Sequence, residues 1–297
     1  MRRFLIVFLG GSLLLAAALP AVAGEALYLW RVEGDGATVH MTGSIHVGKP
    51  EFFPLAEPIE EAFAAADALA VEVDMFAPAN VEAVTAIMMQ KGMLPDDETL
   101  ESRFGPDLWR RLVAHAEATG FPLGMFGKFK PGIGAMMLVM NEYQRQGYDP
   151  ELGIDKHFLD QARAAEKPIR ELETVEDQFD LFLQVDDKLD DLLVEEMLEQ
   201  MEDIGAITDE MVGLWQEGDA EGMDRFMQEQ TGDEEEMVAF YRSLLDDRNV
   251  AMADSLDAWL CGDQDVFVVV GAGHFGGEMG LIKLLEGKGW DVKQVAR

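Results

Sequence analysis

Strand-like segments occur near both ends of this 297-residue chain, and a long stretch with helical periodicity separates them. Residues 27–32 and 37–42 alternate apolar and polar side chains around a glycine-containing turn, which predicts a β-hairpin. Residues 265–270 form an almost continuous apolar run, which is typical of a strand that is covered on both faces. We therefore expect the two ends of the chain to contribute strands to one sheet.

The central stretch, residues 78–260, repeats apolar residues at three- and four-residue spacing, and this spacing predicts amphipathic helices. Short apolar runs at residues 68–73, 168–172 and 292–295 predict three further strands. Together these patterns predict an α/β fold. Its mixed β-sheet is built from strands near both termini, is flanked by helices and carries a large helical insertion over about residues 78–260.

The N-terminal residues have the pattern of a bacterial signal peptide. Two arginines precede an apolar run over residues 4–19, and residues 21–23 (Ala-Val-Ala) match the site that signal peptidase cleaves. We predict that residues 1–23 are removed, that residues 24–297 form a single domain, and that the product is periplasmic or secreted. A retained anchor helix is the alternative. No later stretch is apolar enough for stable membrane insertion after cleavage.

The charge balance limits the partners that this protein can have. The chain contains 23 basic and 57 acidic residues, for a formal net charge of −34. Such a charge repels phosphate backbones, so we expect no nucleic-acid partner. The acidic residues alternate with leucine, phenylalanine and methionine at helical spacing, which predicts solvated helix faces. A peptide or a small molecule is the expected substrate.

Two Gly-x-x-His segments provide the main candidates for a functional site. His46 and His274 each follow an apolar strand, and each has a glycine three positions earlier, Gly43 and Gly271. Glycine allows a sharp turn at a strand end, and ligands of open α/β sheets bind beyond the carboxyl ends of strands. Two imidazoles there would form a metal-binding or an acid–base pair. The pattern is equally compatible with two unrelated turns.

Carboxylates near the ends of other predicted strands are natural partners for these histidines. Glu72 and Asp74 end the third strand on one face by alternation, and an acid in an apolar strand is costly unless paired, which favours a site role for Glu72. Glu173 ends the strand near residue 170, and Asp155 opens a helix, where it either caps the helix or joins the site. Arg248 pairs with a buried carboxylate or an anionic substrate group, or forms an ordinary helix-surface ion pair.

Six short motifs occur in a fixed order along the chain: Thr42-Gly43-Ser44-Ile45-His46-Val47-Gly48, Glu72-Val73-Asp74, Gly153-Ile154-Asp155, Glu171-Leu172-Glu173-Thr174, Arg248-Asn249 and Val270-Gly271-Ala272-Gly273-His274. This ordered set covers nearly the whole chain after residue 24 and resembles the TraB/GumN family, which is related to the Tiki metalloproteases. The resemblance implies a fold shared with the erythromycin-esterase-like and ChaN-like proteins.

The resemblance also implies a pocket in which His46, His274 and Glu72 are the catalytic residues and bind a divalent metal ion. Glu72 would serve as a metal ligand or as a general base. Other residues are expected to bind the substrate or to orient these three side chains: Gly43, Ser44, Asp155, Glu173, Arg248, Gly271 and Gly273.

The leading hypothesis is therefore an exported, metal-dependent hydrolase that acts on peptides. One alternative is a non-catalytic periplasmic protein that binds a small anionic or peptide ligand. The other is a metal-free, esterase-like hydrolase that uses the histidines and a carboxylate for acid–base chemistry.

Overall fold

The computed structural model of the protein describes residues 26–201 and 203–297. The predicted signal peptide, residues 1–23, lies outside the described residues. Within them, the β-strands are β1 (Ala26–Glu33), β2 (Thr38–Ser44), β3 (Ala68–Val71), β4 (Ile169–Glu171), β5 (Val266–Gly271) and β6 (Val292–Ala296).

These strands form one sheet in the order β4-β3-β5-β2-β1-β6. Strands β4, β3, β5 and β2 run parallel to one another, whereas β1 is antiparallel to both β2 and β6. The C-terminal strand β5 thus lies between β2 and β3, and the predicted mixed sheet with strands from both ends of the chain is confirmed. Ser44 pairs with Gly271 in the register of β2 and β5, so these two strands end at the same edge of the sheet.

Helices surround the sheet and form the large insertion between β3 and β5. The α-helices in the described part of the chain are α1 (Glu57–Ala65), α2 (Pro78–Gln90), α3 (Leu100–Arg103), α4 (Pro106–Thr119), α5 (Leu123–Phe126), α6 (Pro131–Arg145), α7 (Ile154–Ala164), α8 (Val175–Leu183), α9 (Asp187–Gln200), α10 (Ile204–Glu217), α11 (Ala220–Thr231), α12 (Glu235–Leu244), α13 (Asp246–Leu260) and α14 (Leu281–Gly287). The predicted helical insertion corresponds to α2–α13, and in the described part of this stretch the short strand β4 lies between α7 and α8. No helix of the described ranges has the length and apolar character that crossing a membrane requires.

The core holds the carboxyl ends of the parallel strands in place. Every residue from Val266 to Val270 in β5 is at most 1% exposed, as the continuous apolar run predicts. The rings of Phe63, Phe158 and Phe267 lie 4.8–5.7 Å from one another and join α1 and α7 to β5. Burial of large apolar side chains is the main favourable contribution to folding. The loops that leave these strands therefore start from rigid positions.

Candidate active site

The loops that follow β2, β3 and β5 bring three polar side chains to one point. His46 follows β2, Glu72 follows β3, and His274 ends a 3₁₀ turn (Ala272–His274) after β5. A Cβ atom placed on Gly271 would lie 3.2 Å from Oε1 of Glu72, 3.5 Å from Cδ2 of His274 and 3.7 Å from Nε2 of His46. The two Gly-x-x-His segments therefore lie next to each other, with Glu72 beside them, at the edge where open α/β sheets bind ligands.

His274 is buried and held in one tautomer by a neighbouring amide. Its Nδ1 atom lies 2.7 Å from Oδ1 of Asn249 on α13, and the amide nitrogen of Asn249 donates to the carbonyl of Met279. Because that second bond orients the amide, Oδ1 accepts and Nδ1 carries the proton. Nε2 is then unprotonated and lies 3.7 Å from Oε1 of Glu72. Desolvation lowers the pKa of His274 to about 4, against the opposing charge of Glu72, so the ring is neutral at pH 7.

His46 is exposed to solvent and contacts a carboxylate at the start of α7. Its side chain keeps 61% of its surface accessible, and its Nδ1 atom lies 3.3 Å from Oδ1 of Asp155. Gly153 allows this approach, because a Cβ atom there would lie 2.5 Å from the carbonyl oxygen of His46. Desolvation lowers the pKa of His46, but the charge and hydrogen bond of Asp155, with the charge of Glu72, outweigh it and raise the pKa to about 9.

Glu72 is a buried, ionised carboxylate whose two oxygens have different partners. Oε2 accepts from Nη2 of Arg248 at 2.6 Å and from Nε2 of Gln178 at 3.1 Å, whereas Oε1 accepts from the backbone N–H of Gly271 at 2.6 Å. Desolvation raises the pKa of Glu72, but the neighbouring His274, His46 and Arg248 and the Gly271 N–H together lower it to about 2. The carboxylate is therefore charged at any physiological pH, and Oε1 faces the two histidines.

Arg248 pairs with two buried carboxylates at once. Its Nε and Nη2 atoms donate to the two oxygens of Glu173 at 2.7 and 2.6 Å, and Nη2 also donates to Glu72. The side chains of Glu72 and Glu173 are only 9% and 8% exposed. The bidentate geometry and this burial distinguish the cluster from a helix-surface ion pair. Arg248 thus orients Glu72 through a largely buried ion pair.

Three other predicted site residues contribute to packing around the site. A Cβ atom on Gly43 would lie 2.5 Å from the ring of Tyr28, and one on Gly273 would lie 2.7 Å from Sδ of Met227. The hydroxyl of Ser44 is buried and has no hydrogen-bond partner among the described residues. The two glycines therefore allow close approach of neighbouring side chains.

The prediction that Glu72 and Asp74 share one face is wrong. Strand β3 ends at Val71, so the alternation of a strand no longer applies to the residues after it. Asp74 turns to Arg163 on α7, whose Nη2 donates to its two oxygens at 2.6 and 2.7 Å. Asp74 thus fastens α7 to the end of β3, and only Glu72 faces the histidines.

Sequence reasoning assigned no role to two residues that orient the site. Gln178 donates to both Glu72 and Glu173, and Asn249 selects the tautomer of His274. Asn249 follows Arg248 directly in one of the motifs, which is the signal that could have drawn attention to it. Gln178 lies on α8 with no local feature that marks it, because its contacts to Glu72 and Glu173 form only in the folded chain.

The donor atoms at this site suit a divalent metal ion, although they are not drawn together. Within residues 26–201 and 203–297, no group of three or more His, Cys, Asp or Glu side chains is arranged to hold one. Nε2 of His274 and Oε1 of Glu72 are 3.7 Å apart, close to the roughly 3.4 Å expected for two ligands of one ion. Nε2 of the exposed His46 ring borders the same space, because it would lie 3.7 Å from a Cβ atom on Gly271.

These features define a mixed α/β protein with a His–Glu–His centre at the carboxyl edge of its parallel strands. The chain belongs to the TraB/PrgY/gumN family, whose model matches residues 28–294. The resemblance inferred from the six motifs is thereby confirmed.

Relatives of this chain occur in enterobacteria. The chain is 28% identical, over 246 residues, to the "Uncharacterized protein YbaP" of Escherichia coli (strain K12), and the match covers 83% of this chain and 87% of YbaP. YbaP of Shigella flexneri matches to the same extent. No solved structure matches this chain.

Proposed function

We propose that this protein is an exported hydrolase that cleaves peptide bonds with a divalent metal ion held by His46, His274 and Glu72. The observation that carries the proposal is the convergence of two oriented imidazoles and one ionised carboxylate on the space beside Gly271. Each of these groups is of a type that binds divalent transition metals.

The partners of the two histidines support a role for both as metal ligands. Nδ1 of His46 contacts the carboxylate of Asp155, and Nδ1 of His274 contacts the amide oxygen of Asn249. Such outer acceptors orient a ligating imidazole and leave its Nε2 lone pair for the ion. An ion bound there would supply Lewis acidity toward a substrate carbonyl and toward water.

The electrostatics of Glu72 favour its role as a ligand over its role as a base. A carboxylate with a pKa of about 2 is a weak proton acceptor at neutral pH but remains fully available as an anionic ligand. Arg248 holds Oε2, so that Oε1 keeps its direction toward the histidines. The chain thus provides a preorganised anionic ligand beside two imidazoles.

Export is proposed from the N-terminal sequence. The basic start, apolar run and Ala-Val-Ala site of residues 1–23 support cleavage after Ala23 and release into the periplasm or the medium. Fractionation of expressing cells, with N-terminal sequencing of the product, should give a chain that starts at Gly24. A product that retains Met1 in the membrane fraction would favour the anchor helix instead.

A metal analysis beside a peptidase assay tests the catalytic proposal. The purified protein should retain about one divalent ion per chain, and a His46→Ala/His274→Ala variant should retain none. His40→Ala, on β2 before the site, is the matched control and should retain the ion. Equal metal content in both variants would contradict the metal-binding role.

The same assay separates the two alternatives. Hydrolysis that continues in the presence of a chelator, but is lost in the His46→Ala/His274→Ala variant, favours metal-free acid–base chemistry. A peptide that raises the melting temperature without being cleaved, with or without added metal, favours a binding protein.

A further inference from the structure

A groove runs between helices α8 and α12 and has an apolar floor. Its volume is about 570 Å³, and the large apolar side chains of its lining, here called its floor, are Leu181, Val185, Leu189 and Phe240. All four side chains are only half-buried, so each keeps apolar surface toward the groove. We call this feature the α8–α12 groove.

The rim of the α8–α12 groove is acidic. Four carboxylates line it: Asp177, Asp180, Asp186 and Glu236. Lys91 contacts Asp180 at 3.4 Å and Lys188 contacts Glu236, but these lysine side chains are 42% and 64% exposed. Such exposed pairs contribute little, and an incoming cation can replace them. The rim therefore carries an excess of negative charge above an apolar surface.

One end of the groove adjoins the candidate active site. Asp177 precedes Gln178, which donates to both Glu72 and Glu173. Ser243, also in the lining, precedes Leu244, whose carbonyl oxygen accepts from Nη1 of Arg248. This end of the groove therefore lies, along both helices, one residue away from contacts to the cluster that orients Glu72.

We propose that the α8–α12 groove binds the substrate beside the cleaved bond and selects peptide segments in which lysine or arginine is flanked by apolar residues. Apolar flanks would cover the floor, and the cation would meet the rim, where opposite charges favour binding and acidic peptides are repelled. The whole protein is acidic, so charge alone would attract cations to many places. The apolar floor and the position beside the site distinguish this surface. The link to cleavage rests on the proposed function.

Three labelled peptides test the ligand chemistry. The first has a central arginine between leucine and phenylalanine, the second replaces the arginine by uncharged citrulline, and the third replaces the apolar flanks by serine. By fluorescence anisotropy, we expect the first peptide to bind at least about fivefold more tightly than either of the others, since both the charge and the flanks contribute.

Two double variants test the location. Asp180→Asn/Glu236→Gln removes two rim charges without changing side-chain size, and should abolish most of the preference for arginine over citrulline. Asp254→Asn/Glu286→Gln is the matched control, because both carboxylates are also paired with lysines but lie outside the groove. The control should keep the preference. An equal loss in both variants would show general charge attraction and overturn the proposal.

The outcomes distinguish the groove from the hydrolase itself. If the arginine peptide is cleaved, the rim variant should raise its KM at least about threefold and leave kcat unchanged, as expected for lost binding. If the wild-type protein and the rim variant cleave all three peptides with equal KM, the proposed role of the groove is contradicted, whereas the proposed hydrolase activity is not. Rim-dependent binding without any cleavage would contradict the hydrolase alone.

Discussion

Nδ1 of His274 lies 2.7 Å from Oδ1 of Asn249, so a buried amide on α13 decides which nitrogen of the histidine faces Glu72. The amide is itself oriented by the carbonyl oxygen of Met279, which accepts from its nitrogen at 2.9 Å. The direction of the Nε2 lone pair is therefore built into the packing of α13 against the loop after β5.

The effect of replacing Asn249 on metal binding should depend on whether the new side chain can accept a hydrogen bond from Nδ1 of His274. Asn249→Leu removes the acceptor and should weaken binding of Zn²⁺, Mn²⁺ or Co²⁺ by roughly 10- to 100-fold, with a loss of about 1–3 kcal/mol in unfolding free energy. Asn249→Asp keeps an acceptor for Nδ1 and should retain most of the affinity. Calorimetric titration and urea unfolding measure both effects. Ser255→Ala on the same helix is the control, and an unchanged affinity in Asn249→Leu would contradict the orienting role.

Removal of Arg248 should destabilise the protein strongly, because it leaves Glu72 and Glu173 buried without their cation. We expect Arg248→Met to cost about 3–5 kcal/mol in unfolding free energy at pH 8. The loss should be smaller at pH 5, because protonation at lower pH removes the charge of carboxyls that are left buried without a cation.

Urea unfolding at the two pH values measures this effect. Arg242→Met, on the exposed surface of α12, is the matched control and should change stability by less than about 0.5 kcal/mol. Adding Glu173→Gln to Arg248→Met should restore part of the loss. A cost below about 1 kcal/mol for Arg248→Met would identify the cluster as a solvated ion pair.

Metal binding should strengthen as the pH rises toward 9. His46 has a pKa of about 9 and carries a proton at pH 7, which an ion must displace, whereas His274, with a pKa of about 4, carries none. The apparent affinity should therefore rise roughly tenfold per pH unit between pH 7 and 9 and level off above it. About one proton should be released per ion at pH 7, as calorimetry in two buffers of different ionisation enthalpy would show.

Asp155 makes the largest contribution to the raised pKa of His46, so its removal should flatten this pH dependence. Asp155→Asn takes away the charge that raises the pKa of His46, and the slope above pH 7 should become much smaller. Asp160→Asn, on the same helix and away from His46, should keep the slope. The same slope in both variants would show that His46 is not the group that exchanges its proton for the ion.

Gly271 should be required for activity because of the space beside it, and not because of the conformational freedom of its backbone. Gly271 has φ −48° and ψ 139°, a conformation open to any residue, so Gly271→Ala should change the unfolding free energy by less than about 1 kcal/mol. Its Cβ would nevertheless enter the space between Glu72, His274 and His46. We expect at least about a tenfold loss of kcat/KM.

Gly287→Ala is the matched control, because its Cβ would meet no heavy atom within 4 Å. It should leave peptidase activity unchanged. Full activity in Gly271→Ala would mean that the three side chains do not act at one point.

The strands and helices were predictable because their patterns are local. The apolar run before Gly271 predicted β5, and the alternation at residues 27–42 predicted the hairpin of β1 and β2. Strand ends were less predictable. The sequence places Glu72 and Asp74 in one strand, but β3 ends at Val71 and the two acids turn to different arginines.

The sequence by itself determined the class of fold, the two Gly-x-x-His segments and the family, because periodicity and short motifs record local preferences and the types of side chain that a site requires. Only the tertiary structure decided that β5 lies between β2 and β3, that Arg248 joins Glu72 to Glu173, and that Gln178 and Asn249 orient the site. These contacts connect residues far apart in the chain. They form only when burial of the apolar core fixes the positions of the helices around the sheet.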